Sequence, residues 1–352
     1  MNRIIRLLLI LSCLAVLGQV YAQFDDPKTI EVGPHGGISY YMGDLNPVKP
    51  FAMSDWQYGG VIRYNQDSRW SFRFEYTHAT VKASDDKIKW RPERGLNFMA
   101  NINDFSLMAE FNFVEYFTGN PKRNVSPYIF AGVSLFQYTP YTSVGDSLLN
   151  LLYHYTEDTK ALSDSASFFD KLIGREKAPF KFGKDKDILL ATGISIPFGM
   201  GVKFSLSRHM AATVEWRMHK TFTDYLDDVA TVYPNKSSAF EYKHVEYVKN
   251  AQGQFVIQDG KKVVDVENSY ALIYNLSDPT AEILQYNIDS DEKVVYPLDE
   301  NGKPIKDPAV GKYKADQQRG NSAFNDWFGM INFSLTWKFN LPDGRGCNLS
   351  KF

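Results

Sequence analysis

The end of the chain alternates between apolar and polar residues with a period of two. The apolar series is Trp327, Gly329, Ile331, Phe333, Leu335, Trp337 and Phe339, and the series between them is Met330, Asn332, Ser334, Thr336 and Lys338. Successive side chains of a strand point to opposite faces, so this segment predicts a strand with one apolar face and one mostly polar face. Strands that face lipid in outer-membrane barrels have this pattern, with aromatic residues at both edges of the apolar band.

The same alternation recurs in seven earlier segments. They are Val32–Tyr41, Trp56–Tyr64, Trp70–Thr77, Phe105–Phe113, Ile129–Leu135, Ile194–Phe204 and Met210–Met218. The fifth segment is blurred, because Phe130 and Phe136 lie on its otherwise polar face. With the last segment the chain has about eight strands, and an even number suits the closure of an antiparallel barrel.

The connections between these segments are alternately short and long. Residues 65–68, 118–127 and 205–209 are short and polar, whereas residues 83–103, 141–187 and 227–326 form long loops. Bacterial outer-membrane barrels have short periplasmic turns and longer extracellular loops. The pattern therefore predicts an all-β, antiparallel up-and-down transmembrane β-barrel over residues 23–341, with both termini in the periplasm and residues 342–352 as a periplasmic C-terminal tail. The long loop also contains hairpin-like pieces, which predict an extracellular sheet.

The start of the chain has the features of a secretory signal peptide. Arg3 and Arg6 precede the apolar run Leu7–Gly18, and Val20-Tyr21-Ala22 suits cleavage before Gln23, so residues 1–22 are predicted to be removed. A lipoprotein cleavage site at Cys13 is the alternative, but the apolar sequence continues past this cysteine. No later segment has about 18 consecutive apolar residues, so no spanning helix is predicted.

Charge gives no reason to expect a nucleic acid partner. Removal of residues 1–22 takes away two arginines and no acidic residue, which changes the formal net charge from −2 to −4. A mildly acidic chain does not attract phosphate backbones.

The polar faces of the strands carry ionisable residues that would point into the barrel. They are Arg63, Arg73, Glu75, Glu110, Lys203, Glu215, Arg217 and Lys338. The interior of an eight-stranded barrel is only wide enough for side chains to fill it, so these groups are expected to pair with one another in a plugged interior. A path for ions is the alternative.

Nothing in the sequence indicates an enzyme, a cofactor or a metal site. The histidines are His35, His78, His154, His209, His219 and His244. None of them lies in a nucleophile elbow, a zinc-protease helix or a recognisable metal-ligand spacing. A hydrolysing barrel would have to use His78 or His219, which are predicted near the outer rim.

Three motifs are predicted to converge on one sector of the outer rim. They are Tyr40–Pro47 after the first strand, Thr221–Val229 after the seventh and Gln318–Asn321 before the eighth. The eighth strand of a closed barrel pairs with both the seventh and the first. We define the rim clasp as Asp44, Asp224, Asp227, Asp228 and Arg319, in which the aspartates near 224–228 would face Arg319. An ion-paired seam is the first interpretation and a ligand site is the second.

These motifs resemble a known family. The run Gly36–Leu45, the run Thr223–Val229, the Arg319–Asn321 motif followed by Asp326-Trp327, and a final strand followed by a lone cysteine are similar to the PorG family of the type IX secretion system of Bacteroidota. The resemblance covers about residues 30–347. It implies a non-enzymatic outer-membrane protein that associates with a PorK-like periplasmic lipoprotein and a PorN-like ring protein, and that supports protein export and gliding motility. The insert at about 232–319 is longer than the family pattern, which leaves open a paralogue with an added surface role.

The cysteine content adds a chemical expectation. Loss of the signal peptide removes Cys13, so Cys347 is the remaining cysteine, in a glycine-flanked tail. The periplasm is oxidising, and an unpaired cysteine in an exported protein suggests an intermolecular disulfide. The resemblance makes a PorK-like protein the expected partner, and an incidental thiol is the alternative.

Two other functions stay open. An outer-membrane channel or a surface-binding barrel would act through the long extracellular loops, and a lipid- or peptide-hydrolysing barrel would need a catalytic histidine at the rim.

Overall fold

The computed structural model describes most of the chain. The described residues are 28–120, 123–144, 147–153, 180–181, 189–229, 233, 239–250, 252–258, 261–298, 301, 303–304, 311–313, 317–321 and 325–341. The predicted signal peptide, the predicted tail and Cys347 lie outside them.

Eight strands form a closed antiparallel barrel. They are β1 (Thr29–Met42), β2 (Asp55–Asn65), β3 (Trp70–Ser84), β4 (Asn97–Asn112), β5 (Val125–Val144), β6 (Leu189–Ser205), β7 (Met210–Thr221) and β8 (Trp327–Asn340). Each strand pairs with its neighbours along the chain, and β8 pairs with β1 to close the sheet. The prediction of an eight-stranded up-and-down barrel is confirmed.

The two ends of the barrel differ. The turn end has the connections 66–69, 113–124 and 206–209, together with residues 28 and 341. The long-loop end has the connections 43–54, 85–96, 145–188 and 222–326. Within the last of these, Ala239–His244, Tyr270–Asn275 and Leu284–Asn287 form a three-stranded sheet. The long loop therefore contains a sheet, but the strands of this sheet are not joined by the hairpin-like pieces of the sequence.

One predicted loop is shorter than the sequence suggested. Residues 83–103 were expected to form a long loop, but the hairpin of β3 and β4 continues to Ser84 and resumes at Asn97. The reason is that small apolar residues of the two strands, such as Val81 and its partner Ala100, point inward and are fully buried. Their burial stabilises the sheet beyond the region where the outer face is continuously apolar.

The outer face of the barrel is apolar and exposed. Trp56 is 76% exposed, Leu107 is 58% exposed and Phe333 is 54% exposed, and all three point away from the barrel axis. Charged residues instead lie inside the barrel, which is the reverse of the arrangement in water-soluble proteins. Such a surface requires an apolar solvent, which is what the hydrocarbon core of a membrane provides. Among the described ranges, no helix is both long and apolar enough to cross a membrane.

The interior has two layers. Toward the turn end it is filled by ionisable side chains, and toward the long-loop end it is filled by an apolar cluster that includes Tyr41, Phe98, Phe136, Phe328 and Met330. Loop residues Leu45, Leu226 and Val229 belong to the same cluster. The long-loop connections therefore pack into the barrel end as an apolar cap.

Candidate functional site

The charged layer is a network of paired groups. Within the described barrel strands it contains the four cations Arg63, Arg73, Lys203 and Arg217 and the four carboxylates Glu31, Glu75, Glu110 and Glu215. Seven of these eight residues were predicted from strand parity. Glu31 was missed, because the glycine-rich start of β1 hides its alternation. The eighth predicted residue, Lys338, is at the turn end, where its Nζ donates a hydrogen bond to the backbone oxygen of Thr118.

Glu110 is the centre of this network. Its Oε2 lies 3.0 Å from Nε of Arg63 and 2.6 Å from Nζ of Lys203, and its Oε1 lies 3.1 Å from Nη1 of Arg73. All four side chains are almost completely buried. Paired and buried charges fill the lumen at this level, as the sequence predicted for a plugged interior.

The three predicted rim motifs meet at the long-loop end, and Arg94 connects two of them, Tyr40–Pro47 and Gln318–Asn321. Its Nη2 and Nε lie 2.7 Å and 3.0 Å from the two carboxylate oxygens of Asp85. Its Nη1 donates to the backbone oxygen of Arg319 at 2.9 Å, and its Nη2 donates to that of Asp44 at 3.1 Å. Sequence reasoning missed Arg94, because an arginine in a charged loop has no periodic signal that distinguishes it.

A close backbone approach joins two of the motifs. Asp44 Oδ2 accepts a hydrogen bond from the backbone N–H of Asn321 at 2.6 Å. At the preceding residue, a Cβ on Gly320 would overlap the backbone oxygen of Val229 and crowd the Asp44 carboxylate. Glycine at this position therefore lets the two loops touch.

Four of the five rim-clasp residues are buried, and Asp44 is half-buried. Arg319 is only 3% exposed, and its Nη1 donates to the backbone oxygen of Asp228. The convergence of the clasp residues agrees with the topology argument, whereas a side-chain ion pair between Arg319 and the aspartates stays a prediction. In a double-mutant cycle of Arg319→Gln and Asp228→Asn, we expect a coupling free energy of about 1 kcal/mol or more, measured by thermal unfolding in detergent. Strictly additive effects would reject the pair.

Two carboxylates of this region share one phenol. The hydroxyl of Tyr41 contacts Asp227 Oδ2 and lies 2.6 Å from Asp326 Oδ1. The other oxygens accept backbone N–H groups, from Val229 at 2.9 Å for Asp227 and from Leu226 at 3.0 Å for Asp326. Burial raises the pKa of Asp227 well above its ordinary value, and the negative charges of Asp326 and Asp44 raise it further. Burial also raises the pKa of Asp326, with a further contribution from Asp224.

These raised pKa values predict that the rim weakens as the pH rises. The folded protein holds a proton on this pair above pH 4, where an unfolded aspartate has released it, so folding stability falls with increasing pH until the raised pKa is passed. Hydrogen exchange at the amides of Leu226 and Val229 should be slower at pH 5 than at pH 8, after correction for the intrinsic exchange rate. Asp227→Asn should flatten this dependence, and exposed Asp291→Asn should leave it unchanged; an unaltered slope in Asp227→Asn would contradict the interpretation.

A cavity of about 910 Å³ opens beside the rim clasp, where the outer wall meets the loops. We call it the lateral groove. Its wall side is formed by Tyr40, Phe198, Trp216, Met218 and Trp327, and its loop side includes Phe51, Trp90, Arg91 and Asn321. Sequence reasoning identified Tyr40 only as part of a rim motif and did not predict the groove, because its lining comes from five separate segments.

The two candidate catalytic histidines do not form a catalytic arrangement. His78 Nδ1 is 2.8 Å from Asn103 Oδ1 on the barrel wall. His219 is completely buried, and its Nδ1 faces both Ser195 Oγ at 3.0 Å and Asp104 Oδ1 at 3.8 Å. A serine, histidine and aspartate relay needs the serine and the carboxylate at opposite ring nitrogens, so this trio has the right residues in the wrong geometry. Among the described residues, no group of three or more histidine, cysteine or acidic side chains is placed to hold a metal ion.

Comparisons with known proteins show similarities but assign no function to the chain. A family model described as a domain of unknown function, DUF6089, matches residues 5–151. No curated protein matches the sequence. The similar solved structures include OprG of Pseudomonas aeruginosa, with 11% identity, a TM-score of 0.33, and coverage of 90% of this chain and 97% of that chain.

Two further structures are similar at the same level. The N-terminal β-barrel domain of OprF from Pseudomonas aeruginosa has 10% identity, a TM-score of 0.29, and coverage of 88% of this chain and 97% of that chain. The attachment invasion locus protein Ail of Yersinia pestis has 8% identity, a TM-score of 0.31, and coverage of 89% and 99%. The strand pairing described above, and not these likenesses, establishes the barrel.

Proposed function

We propose that this chain is a non-enzymatic barrel of the bacterial outer membrane that anchors a periplasmic ring of the type IX secretion system. In this proposal, a PorK-like lipoprotein and a PorN-like protein form the ring, and the barrel supports protein export and gliding. The resemblance of the rim motifs to the PorG family supports the assignment to this system.

The filled interior is the observation that carries the binding role. Paired charges occupy the turn-end half of the lumen and the apolar cluster occupies the other half. A barrel filled in this way acts through its outer wall, its turns or its loops, and not by passing solutes through the lumen. Binding to a ring is a function of this kind.

The turn end offers a shaped surface to such a partner. Residues 113–120 fold across the barrel end, where Thr118 Oγ1 donates to Glu31 Oε1 at 2.5 Å. A cavity of about 230 Å³ lies beside it, lined among others by Thr29, Asn65, Tyr116 and Lys338. If short turns face the periplasm, as in bacterial barrels, this is the surface that meets the ring.

Crosslinking from the two ends of the barrel tests the proposal. A photo-crosslinking amino acid at Arg69 or Arg208, which are exposed at the turn end, should capture the PorK-like or PorN-like protein in intact cells. The same group at Gln252, exposed in the long loop, is the matched control and should capture neither. Capture of the ring proteins from Gln252 alone would place the turns outside and overturn the proposal.

The predicted disulfide of Cys347 is a separate test of the same anchor. Outer-membrane preparations run without reductant should show a high-mass adduct that contains the ring lipoprotein. The adduct should collapse on reduction and disappear in Cys347→Ser. If the protein runs only as a monomer without reductant, and its thiol is alkylated freely in intact envelopes, the covalent link is contradicted. The turns would then have to bind the ring noncovalently.

A second candidate function is binding at the cell surface through the long loops. The three-stranded sheet within residues 239–287 favours it, because an ordered sheet gives a loop a defined surface for recognition. Removal of this sheet should leave capture of the ring proteins intact under the first proposal and abolish binding at the cell surface under the second.

The purified barrel should give no steady conductance in planar bilayers, and a defined conductance would favour the channel alternative.

A further inference from the structure

We propose that the lateral groove binds an acylated, phosphorylated lipid of the outer leaflet, with its acyl chain along the outer wall of β7 and β8 and its phosphate beside Lys220 and Arg91. This inference rests on the outer-membrane placement proposed above, but not on the ring partner. It assigns a ligand to a site that neither the proposed anchor nor the surface-binding alternative uses.

The shape of the groove matches a molecule with a head and a chain. A second cavity of about 300 Å³ shares Phe51 and Trp216 with the lateral groove and extends over Met200, Val214 and Ile331. These last residues belong to the lipid-facing wall, so the two cavities together run from the rim toward the membrane core. The part of this path nearest the membrane core is apolar, so it favours an acyl chain over a water-soluble ligand.

The wall of the groove is apolar because its polar atoms bind one another. Trp216 Nε1 donates to the hydroxyl of Tyr40 at 2.7 Å, and this hydroxyl donates to the sulfur of Met218 at 3.1 Å. The Tyr40 ring lies across Gly329, where any side chain would overlap it. Tyr40 and Met218 are almost completely buried behind the wall, so the surface offered to a ligand is made of aromatic rings such as Trp216 and Phe198, which favour apolar contact.

The backbone on the loop side is held in a strained conformation. Phe51 has a φ of 64° and Met53 a φ of 53°, in the left-handed region that non-glycine residues rarely adopt. The Phe51 ring packs on Tyr40 with centroids 4.5 Å apart and is still 45% exposed. Strain of this kind is concentrated at ligand clamps, and here it places a half-exposed ring over the groove.

Two cations lie at the loop end of the lateral groove: Arg91 lines the groove, and Lys220 lies beside Trp327, which also lines it. Lys220 points outward from the end of β7, and its Nζ lies 5.7 Å from the centre of the Trp327 ring. Arg91 is 35% exposed and its Nε lies 3.4 Å from Glu93, so most of its N–H groups still face the groove or solvent. The carboxylate of Asp44, which also lines the groove, accepts the Asn321 N–H. Cations with aromatic rings at the edge of an apolar band are the chemistry that recognises a lipid phosphate.

Native mass spectrometry of the detergent-purified full chain tests the proposal. Titration with diphosphorylated lipid A should give one saturable adduct, and phosphatidylcholine should give none at the same concentration. The double variant Lys220→Gln, Arg91→Gln should bind lipid A about tenfold more weakly, because each cation near a lipid surface contributes to the affinity. Phe51→Ala should also weaken binding, through loss of apolar contact.

Matched controls keep the test specific. Lys87→Gln removes an exposed cation of the same barrel end outside the groove, and Phe105→Ala removes an outward aromatic ring of β4. Both should bind lipid A as the wild type does, and millimolar inorganic phosphate should not compete. Equal binding of lipid A and phosphatidylcholine, or equal loss in the control variants, would overturn the proposal and leave an ordinary lipid-facing surface. Displacement of lipid A by inorganic phosphate alone would show that the site binds an anion and does not bind the acyl chain, which would also overturn the proposal. Ring capture from Arg69 is expected to persist in the groove variants, which separates this site from the anchor.

Discussion

Glu110→Gln is expected to reduce the free energy of unfolding by about 3–5 kcal/mol. The glutamate pairs with Arg63, Arg73 and Lys203 inside the barrel, at 3.0, 3.1 and 2.6 Å. An amide can satisfy part of this geometry but leaves three buried cations with one anion fewer. Urea unfolding from detergent or lipid vesicles, followed by the shift between folded and unfolded bands on unheated gels, measures the loss.

The charge explanation makes a further prediction. Removing one cation in the same protein, as in Glu110→Gln with Lys203→Gln, should recover part of the stability, because the excess positive charge falls. Exposed Glu246→Gln, whose partner is His244 at 3.2 Å, should change the stability by less than about 1 kcal/mol. A double variant as unstable as the sum of its parts would mean that packing, and not charge balance, accounts for the effect.

Arg94→Met is expected to loosen the long-loop end without unfolding the barrel. The substitution removes two contacts to Asp85, at 2.7 and 3.0 Å, and the hydrogen bonds to the backbone oxygens of Arg319 and Asp44. Burial already raises the pKa of Asp85, so this carboxylate is costly to leave without its cation. A local loss of about 3 kcal/mol would speed proteolysis of the loops about 100-fold while the heat resistance of the barrel changes little.

Two variants separate the effect of losing the Arg94–Asp85 ion pair from the effect of changing the size of a side chain in this connection. Arg94→Met with Asp85→Asn should be less sensitive to protease than Arg94→Met alone, because no buried charge is left unpaired. Lys87→Met, an exposed cation of the same connection, should behave as the wild type. Loss of the whole barrel in Arg94→Met would show that the rim and the strands unfold as one unit, contrary to the expectation.

The sequence determined the barrel because its information is local. The period of two in segments such as Trp70–Thr77 and Trp327–Phe339 defines which side chains face lipid, and the ionisable residues on the opposite face follow by parity. Chain order and alternating connection lengths then define the neighbours of each strand. Even the convergence of Asp44, Asp227 and Arg319 on one sector follows from the pairing of the last strand with the first.

Only the tertiary structure decided which side chains of the barrel and its loops contact one another. Glu31 joins the charged layer, the hairpin of β3 and β4 extends to Ser84, and Arg94 connects three loops, none of which has a periodic signal. The lateral groove was equally hidden, since Tyr40 must lie over Gly329 to reach Trp216 on a strand 176 residues away. Alternation specifies a face of a strand, whereas partner choice depends on side-chain reach and strand stagger, which only the closed barrel determines.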